Sequence, residues 1–132
     1  MLVEGQASIG GEEYFALRTF RRDGSPVSTP VWLAPSGSRL YGYTPGRSWK
    51  VRRLRLNPRV ELAPSDFAGE PHGQWRQGSA QVLPPSELRT AKRAMTAKYK
   101  NKFRWFTIVL LAGRPRKHGG RAVGLEISLD PE

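Results

Sequence analysis

The stretch Tyr14-Phe15-Ala16-Leu17-Arg18-Thr19-Phe20, then Asp23-Gly24, then Pro26-Val27-Ser28-Thr29-Pro30-Val31-Trp32-Leu33-Ala34, then Ser36-Gly37-Ser38, then Leu40-Tyr41-Gly42-Tyr43-Thr44 decides the fold. Its aromatic and β-branched residues favour extended backbone, and Asp23-Gly24 and Ser36-Gly37-Ser38 are turn signals. In the second run Val27, Thr29, Val31 and Leu33 share one face by period two, and Ser28, Pro30 and Trp32 share the other. Pro30 has no amide proton to donate, which assigns it to an edge, a bulge or an opening for a ligand. Turns this short exclude parallel crossovers, so strands over residues 14–20, 26–34 and 40–44 are expected to form an antiparallel meander.

The pattern continues outward from there. Pro45-Gly46 breaks the third strand, Ser48 is placed to cap a short helix, and Pro58 stops that helix by Asn57. Val51 and Leu54, three apart, share its buried face. Residues 59–63 read as a fourth strand and residues 64–73 as a polar loop. Residues 75–83 read as a fifth strand whose Gly78-Ala80 side is small enough for close approach by another sheet or a cofactor. Pro84-Pro85-Ser86 introduces the longest helix, to about Lys100, with Leu88, Ala91, Met95 and Tyr99 as its apolar stripe. Residues 104–112 and 122–129 read as further strands, able to pair as a hairpin across the basic turn 113–120. The expectation is mainly β: a single domain over residues 1–132, a small closed or partly closed barrel of six or seven antiparallel strands with two helices.

Composition narrows the chemistry. The 132 residues hold 22 Lys+Arg against 11 Asp+Glu, a formal net charge of +11, so the surface attracts phosphates, carboxylates or other polyanions. The absence of cysteine from this sequence removes disulfide, thiol and thiolate-metal chemistry. Met1-Leu2-Val3-Glu4-Gly5 does not begin a secretory leader, and the apolar segment 106–112 is far short of a membrane span, so the expected location is cytoplasmic without membrane association. His72 and His118 stand in separate loops with no metal-ligand spacing, and Ser79 lacks a nucleophile-elbow sequence. Asp66 and Glu70 read as solvated turn residues. Neither a catalytic residue nor a metal site is therefore assigned.

One junction is informative: Tyr43-Thr44-Pro45-Gly46-Arg47-Ser48-Trp49-Lys50. A strand ends, a glycine turn follows and a helix begins, so free amides point at whatever lies before the helix. Ser48 adds a hydroxyl, and Arg47, Lys50 and Arg53 add charge with no acid between Arg47 and Arg55. Two readings fit, a phosphate grip or a capped helix with a solvated basic face. A second feature is Ser28-Thr29-Pro30-Val31-Trp32, whose backbone suits the edge of a planar heterocycle or equally an interior strand with an edge proline.

These residues also carry a resemblance. Residues 19–32 together with Leu40-Tyr41-Gly42-Tyr43-Thr44, Ser48-Trp49-Lys50-Val51-Arg52-Arg53-Leu54, Asn57-Pro58-Arg59-Val60-Glu61-Leu62-Ala63 and Gly78-Ser79-Ala80 resemble the pyridoxamine 5'-phosphate oxidase-like split β-barrel family, in its flavin- and deazaflavin-dependent oxidoreductase branch. The resemblance covers most of residues 14–111. It implies a homodimer with two cofactor sites at the subunit interface. It implies a phosphate grip by Ser48 and Lys50 with help from Arg47 or Arg53, ring contacts from Ser28, Thr29, Pro30 and Val31, and Thr44 beside the phosphate-bearing chain. The resemblance further implies that Arg104, Trp105 or residues of the long helix complete the site from the partner. Within the branch the text most resembles proteins that use the deazaflavin coenzyme F420, with FMN as the alternative, and implies hydride transfer from reduced deazaflavin to a small organic substrate near Trp32, Trp75 or Tyr99. The oxidase's C-terminal substrate pattern is not found in residues 121–132. Two other readings stand beside this one. The first is FMN or F420 storage or sensing. The second is nucleic-acid binding through the basic run Arg89, Lys92, Arg93, Lys98, Lys100, Lys102 and Arg104, although no nucleic-acid module is recognised.

Overall fold

The structure is a computed structural model that describes residues 12–100 and 122–131. It contains strands β1 (Tyr14–Phe20), β2 (Pro26–Val31), β3 (Ala34–Ser36), β4 (Arg39–Pro45), β5 (Arg59–Ser65), β6 (Arg76–Val82) and β7 (Ala122–Leu129), with helices α1 (Trp49–Leu56) and α2 (Leu88–Tyr99). The strands form one seven-stranded sheet in the order β2-β1-β5-β6-β7-β4-β3, and every pairing is antiparallel. The fold is mainly β, as expected, and the strand and basic turn expected over 104–120 lie outside the described residues.

The meander expectation is corrected. β1 and β2 do form a hairpin, with Leu17 opposite Thr29. However, the run 26–34 is not one strand: β2 ends at Val31 and β3 begins at Ala34. β3 pairs with β4 at the opposite edge of the sheet. Three residue steps span at most about 11 Å, so the two edges must meet there. A flat seven-stranded sheet cannot satisfy that link, and this one curls into a split barrel whose seam is Val31-Trp32-Leu33-Ala34. Pro30 sits on the edge strand, where its missing donor breaks no ladder.

The barrel interior is filled by Phe15, Leu17, Leu33, Leu40, Val60, Leu62, Leu125 and Ile127, with Leu54 of α1 closing one end. α1 begins as expected: Ser48 Oγ accepts from the Val51 amide at 3.4 Å, and the chain leaves the helix at Asn57. α2 follows a short 3-10 turn at Pro85–Glu87 and packs outside the barrel on β3, β4 and β7. Its buried stripe is Ala91, Ala94, Met95 and Tyr99, while Leu88 is only half-buried.

The last turn of α2 ties down the seam. Tyr99 Oη shares its single proton between the carbonyls of Glu13 (2.7 Å) and Leu33 (3.0 Å), and its ring stacks on Trp32 at 5.0 Å. Lys98 Nζ donates to the carbonyls of Glu12 and Leu33 and lies 4.9 Å from the rings of both Phe15 and Tyr99. Burial lowers the Lys98 ammonium from 10.5 to about 8, against the opposing pull of Glu12. The unfolded chain therefore holds more protons than the folded one between those values, and stability rises with pH across that window. Urea unfolding of wild type and Lys98→Met at about pH 7 and about pH 10 checks this. The wild type gains stability at the higher pH relative to the variant, and parallel curves for the two would refute the assignment.

Candidate functional site

A cavity of about 500 Å³ opens at the seam. Its walls come from β1 (Tyr14), the end of β2 (Pro30, Val31), the crossing Trp32-Leu33 and β4 (Gly42 to Pro45). Lys50 of α1, Phe67, Met95 and Leu125 complete them. Among the described residues the lining is apolar and aromatic apart from Thr44, Lys50 and the tyrosine hydroxyls, and they contribute no carboxylate or histidine to it. Tyr14 lies edge-on to Phe67 at 5.6 Å and tilted to Trp32 at 6.4 Å, so three rings adjoin one another along the wall.

Lys50 is the unusual group. Its Nζ lies 3.4 Å from Thr44 Oγ1, and no carboxylate pairs with it among the described residues. Burial, then the nearby charge of Arg53, lowers its pKa from 10.5. A cation held out of water without an anion is costly, and a structural role does not explain it, because a neutral side chain would fill the same space. A second unsatisfied group is near in sequence to the wall: Thr29 Oγ1 is buried with no hydrogen-bond partner.

The structure sorts the expected residues. Pro30, Val31, Thr44 and Lys50 converge on the cavity. Ser48 spends a lone pair on the α1 cap, which leaves its hydroxyl proton to donate elsewhere. Arg53 is half-buried and turns its Nε to Thr19 Oγ1 at 2.5 Å. Arg47 and Ser28 are exposed and do not line the cavity. Of the aromatics, Trp32 lines the wall and Tyr99 supports it from behind. Trp75 does not line it and lies instead under the Arg18 guanidinium at 3.7 Å. Arg104 and Trp105 lie outside the described residues.

The loop residues behave as the turn reading requires. Asp66 Oδ1 accepts from the amides of Ala68 and Glu70, both at 2.9 Å, and so fixes the turn that carries Phe67. His72 Nε2 lies 3.9 Å from Glu12 at the surface, and no metal-holding cluster occurs among the described residues. Tyr14 and Phe67 were not singled out from sequence. Phe67 sits in a stretch read as polar loop, and its only signal was an aromatic inside an Asp-Gly turn.

Comparison with known proteins agrees with this architecture. The family model described as Pyridoxamine 5'-phosphate oxidase matches residues 3–128, and the chain belongs to that family. A curated relative, an uncharacterized protein of Rhizobium meliloti (strain 1021), is 37% identical over 71 residues, which is 50% of this chain and 44% of that protein. The match thus spans less than half of the relative's length. Three solved structures share the fold. An FAD-binding protein from Mesorhizobium loti aligns with TM-score 0.65 and 20% identity, over 99% of this chain and 89% of its own. An F420 reductase aligns with TM-score 0.61 and 17% identity, over 97% and 95%. The heme storage protein HutZ of Vibrio cholerae aligns with TM-score 0.66 and 12% identity, over 100% and 93%. Identities this low show a common fold and leave activity to be argued from the site. Among the described residues no helix is long and apolar enough to cross a membrane.

Proposed function

We propose that the protein is an oxidoreductase that binds a phosphate-bearing flavin-type cofactor, F420 in the first instance and FMN as the alternative, and acts on a small organic substrate. The observation that carries this reading is Lys50, a desolvated cation on the wall of an apolar cavity with no acidic partner among the described residues. The residues fit such a group in two ways. Lys50 and the Ser48 hydroxyl supply charge and a donor for a phosphoryl oxygen. The end of β2 offers the apolar surface of Pro30 and Val31 to a planar ring.

When bound, the cofactor supplies the two-electron redox chemistry that no side chain of this set provides. The chain's own work is positional. Lys50 neutralises and anchors the phosphoryl end, Thr44 holds the Lys50 ammonium in place, and Tyr14, Trp32, Val31 and Met95 keep the cavity dry. The same binding work would also serve a protein that holds the cofactor without turning over substrate. Reoxidation of the reduced complex by candidate substrates, faster than for free cofactor, separates catalysis from storage.

The proposal includes a homodimer whose second copy completes the site. Trp49, Leu56 and Phe67 are large apolar side chains left exposed in the single chain, and Lys50 of α1 and Phe67 both line the cavity. Native mass spectrometry after separate addition of FMN and F420 reads cofactor choice and subunit number together. The expected species is a dimer carrying one F420 per subunit. A monomer that retains neither cofactor would overturn the proposal.

A further inference from the structure

One turn presents an aromatic ring to solvent and holds it there. Phe67 is 75% exposed, yet it also lines the cavity, so it stands where the cavity meets solvent. A single exposed phenylalanine is ordinary on a protein surface. This one adjoins Tyr14 edge-on at 5.6 Å, and Tyr14 adjoins Trp32, so three rings meet along one wall. An edge-on pair leaves at least one face of each ring uncovered by the other.

The turn is built rather than loose. Asp66 Oδ1 accepts from the amides of Ala68 and Glu70. The Asp66 carbonyl accepts from the Gly69 amide and the Ser65 hydroxyl, both at 3.0 Å, and the Asp66 amide donates to the Glu70 carbonyl at 3.1 Å. Gly69 takes φ +92°, where a side chain would be strained, and a Cβ there would stand 3.3 Å from the Pro30 Cβ and 3.4 Å from its Cδ. The turn is thereby seated on Pro30, which lines the same cavity. So little of the Phe67 ring is buried that packing alone gives it no work in the fold. A ring fixed this way gives up little conformational freedom on meeting a ligand.

We propose that Phe67 is the specificity-determining contact for the organic substrate, and that this substrate is a flat, uncharged, conjugated compound lying against the Phe67 and Tyr14 rings. The assignment rests on the oxidoreductase reading above. Flatness follows from rings that reward stacking over bulk. Neutrality follows from the surrounding charges. Asp66 and Glu70 put two exposed carboxylates in the turn itself, which oppose an anion there. Lys50, the one charged residue in the described lining, opposes a cation.

Titration calorimetry of the full chain saturated with FMN or with F420 tests this, using three probes on one skeleton: 2-naphthol (flat and neutral), decahydro-2-naphthol (saturated and not flat) and naphthalene-2-sulfonate (flat and anionic). 2-Naphthol is expected to bind about tenfold more tightly than either of the others. Phe67→Ala, confirmed as folded by thermal unfolding, is expected to lose about tenfold in 2-naphthol affinity with cofactor affinity and subunit number unchanged. Phe67→Leu keeps apolar bulk without a flat ring and is expected to recover little of that loss. Full recovery by leucine, equal binding of either control probe, or an unchanged 2-naphthol affinity in Phe67→Ala would overturn the assignment and leave the functional reading in place. So would a loss of cofactor, or of the dimer, in step with 2-naphthol. If wild type takes up neither cofactor but the empty protein binds 2-naphthol through Phe67, the ring contact stands and the oxidoreductase reading falls.

Discussion

Replacing Lys50 by methionine is expected to lower affinity for FMN and F420 by about 10- to 100-fold, to leave riboflavin within about twofold, and to raise the melting temperature of the ligand-free protein. The loss follows from removing one charge-assisted contact to phosphate, worth about 1.5–3 kcal/mol. Methionine keeps the apolar stem that lines the cavity, so packing changes little. The gain in stability follows from the same observation read for the empty protein. The folded Lys50 has a pKa below 10.5, chiefly through burial and then through Arg53. The unfolded chain binds the proton more strongly, so the charged form opposes folding at neutral pH, and that opposition fades as pH rises toward the unfolded value. Removing the amine removes the opposition. A lysine that merely shored up the fold would behave in the other direction. Its loss would lower the melting temperature and weaken riboflavin and FMN alike, and that pair of results would refute the phosphate role.

Much of this corner was legible because its signals are local. The cap at Ser48, the stop at Asn57 and the inward Val51 and Leu54 follow from short-range rules that the structure obeys. The seam was not legible for an equally physical reason. Val27, Thr29, Val31 and Leu33 keep a perfect alternation through the place where the chain leaves one sheet edge for the other, so periodicity reports one strand where there are two. Pro30 marked an edge, but an edge proline does not say that the opposite edge lies a few residues away. The same limit applies to Tyr14 and Phe67, ordinary strand and turn residues until the sheet curls them over the cavity.

Gly78 shows the opposite case, in which a sequence reading has a strong structural consequence. Gly78→Ala is expected to destabilise the protein by about 2–4 kcal/mol and to lower its melting temperature by roughly 10 °C. An added Cβ would stand 2.4 Å from the Ser128 carbonyl oxygen and 3.0 Å from the Leu129 Cα. Both are backbone atoms, so no rotamer change relieves the contact. β6 is also hydrogen-bonded on both sides, with Val60 of β5 and Leu129 of β7 opposite Gly78. The strand therefore cannot withdraw without shifting its neighbours. Ser79→Ala, one residue on and exposed, is the control and should stay within about 0.5 kcal/mol of wild type. The effect should also reach the site. β7 pairs with β4 as well as β6 and sets Val123 opposite Thr44, the residue that holds Lys50. A displaced β7 loosens that hold, so Gly78→Ala should weaken FMN binding at temperatures where the variant is still folded. Chemical unfolding and calorimetry on the same samples would read both effects. A variant as stable as Ser79→Ala would mean that β6 and β7 separate more easily than this close backbone contact allows.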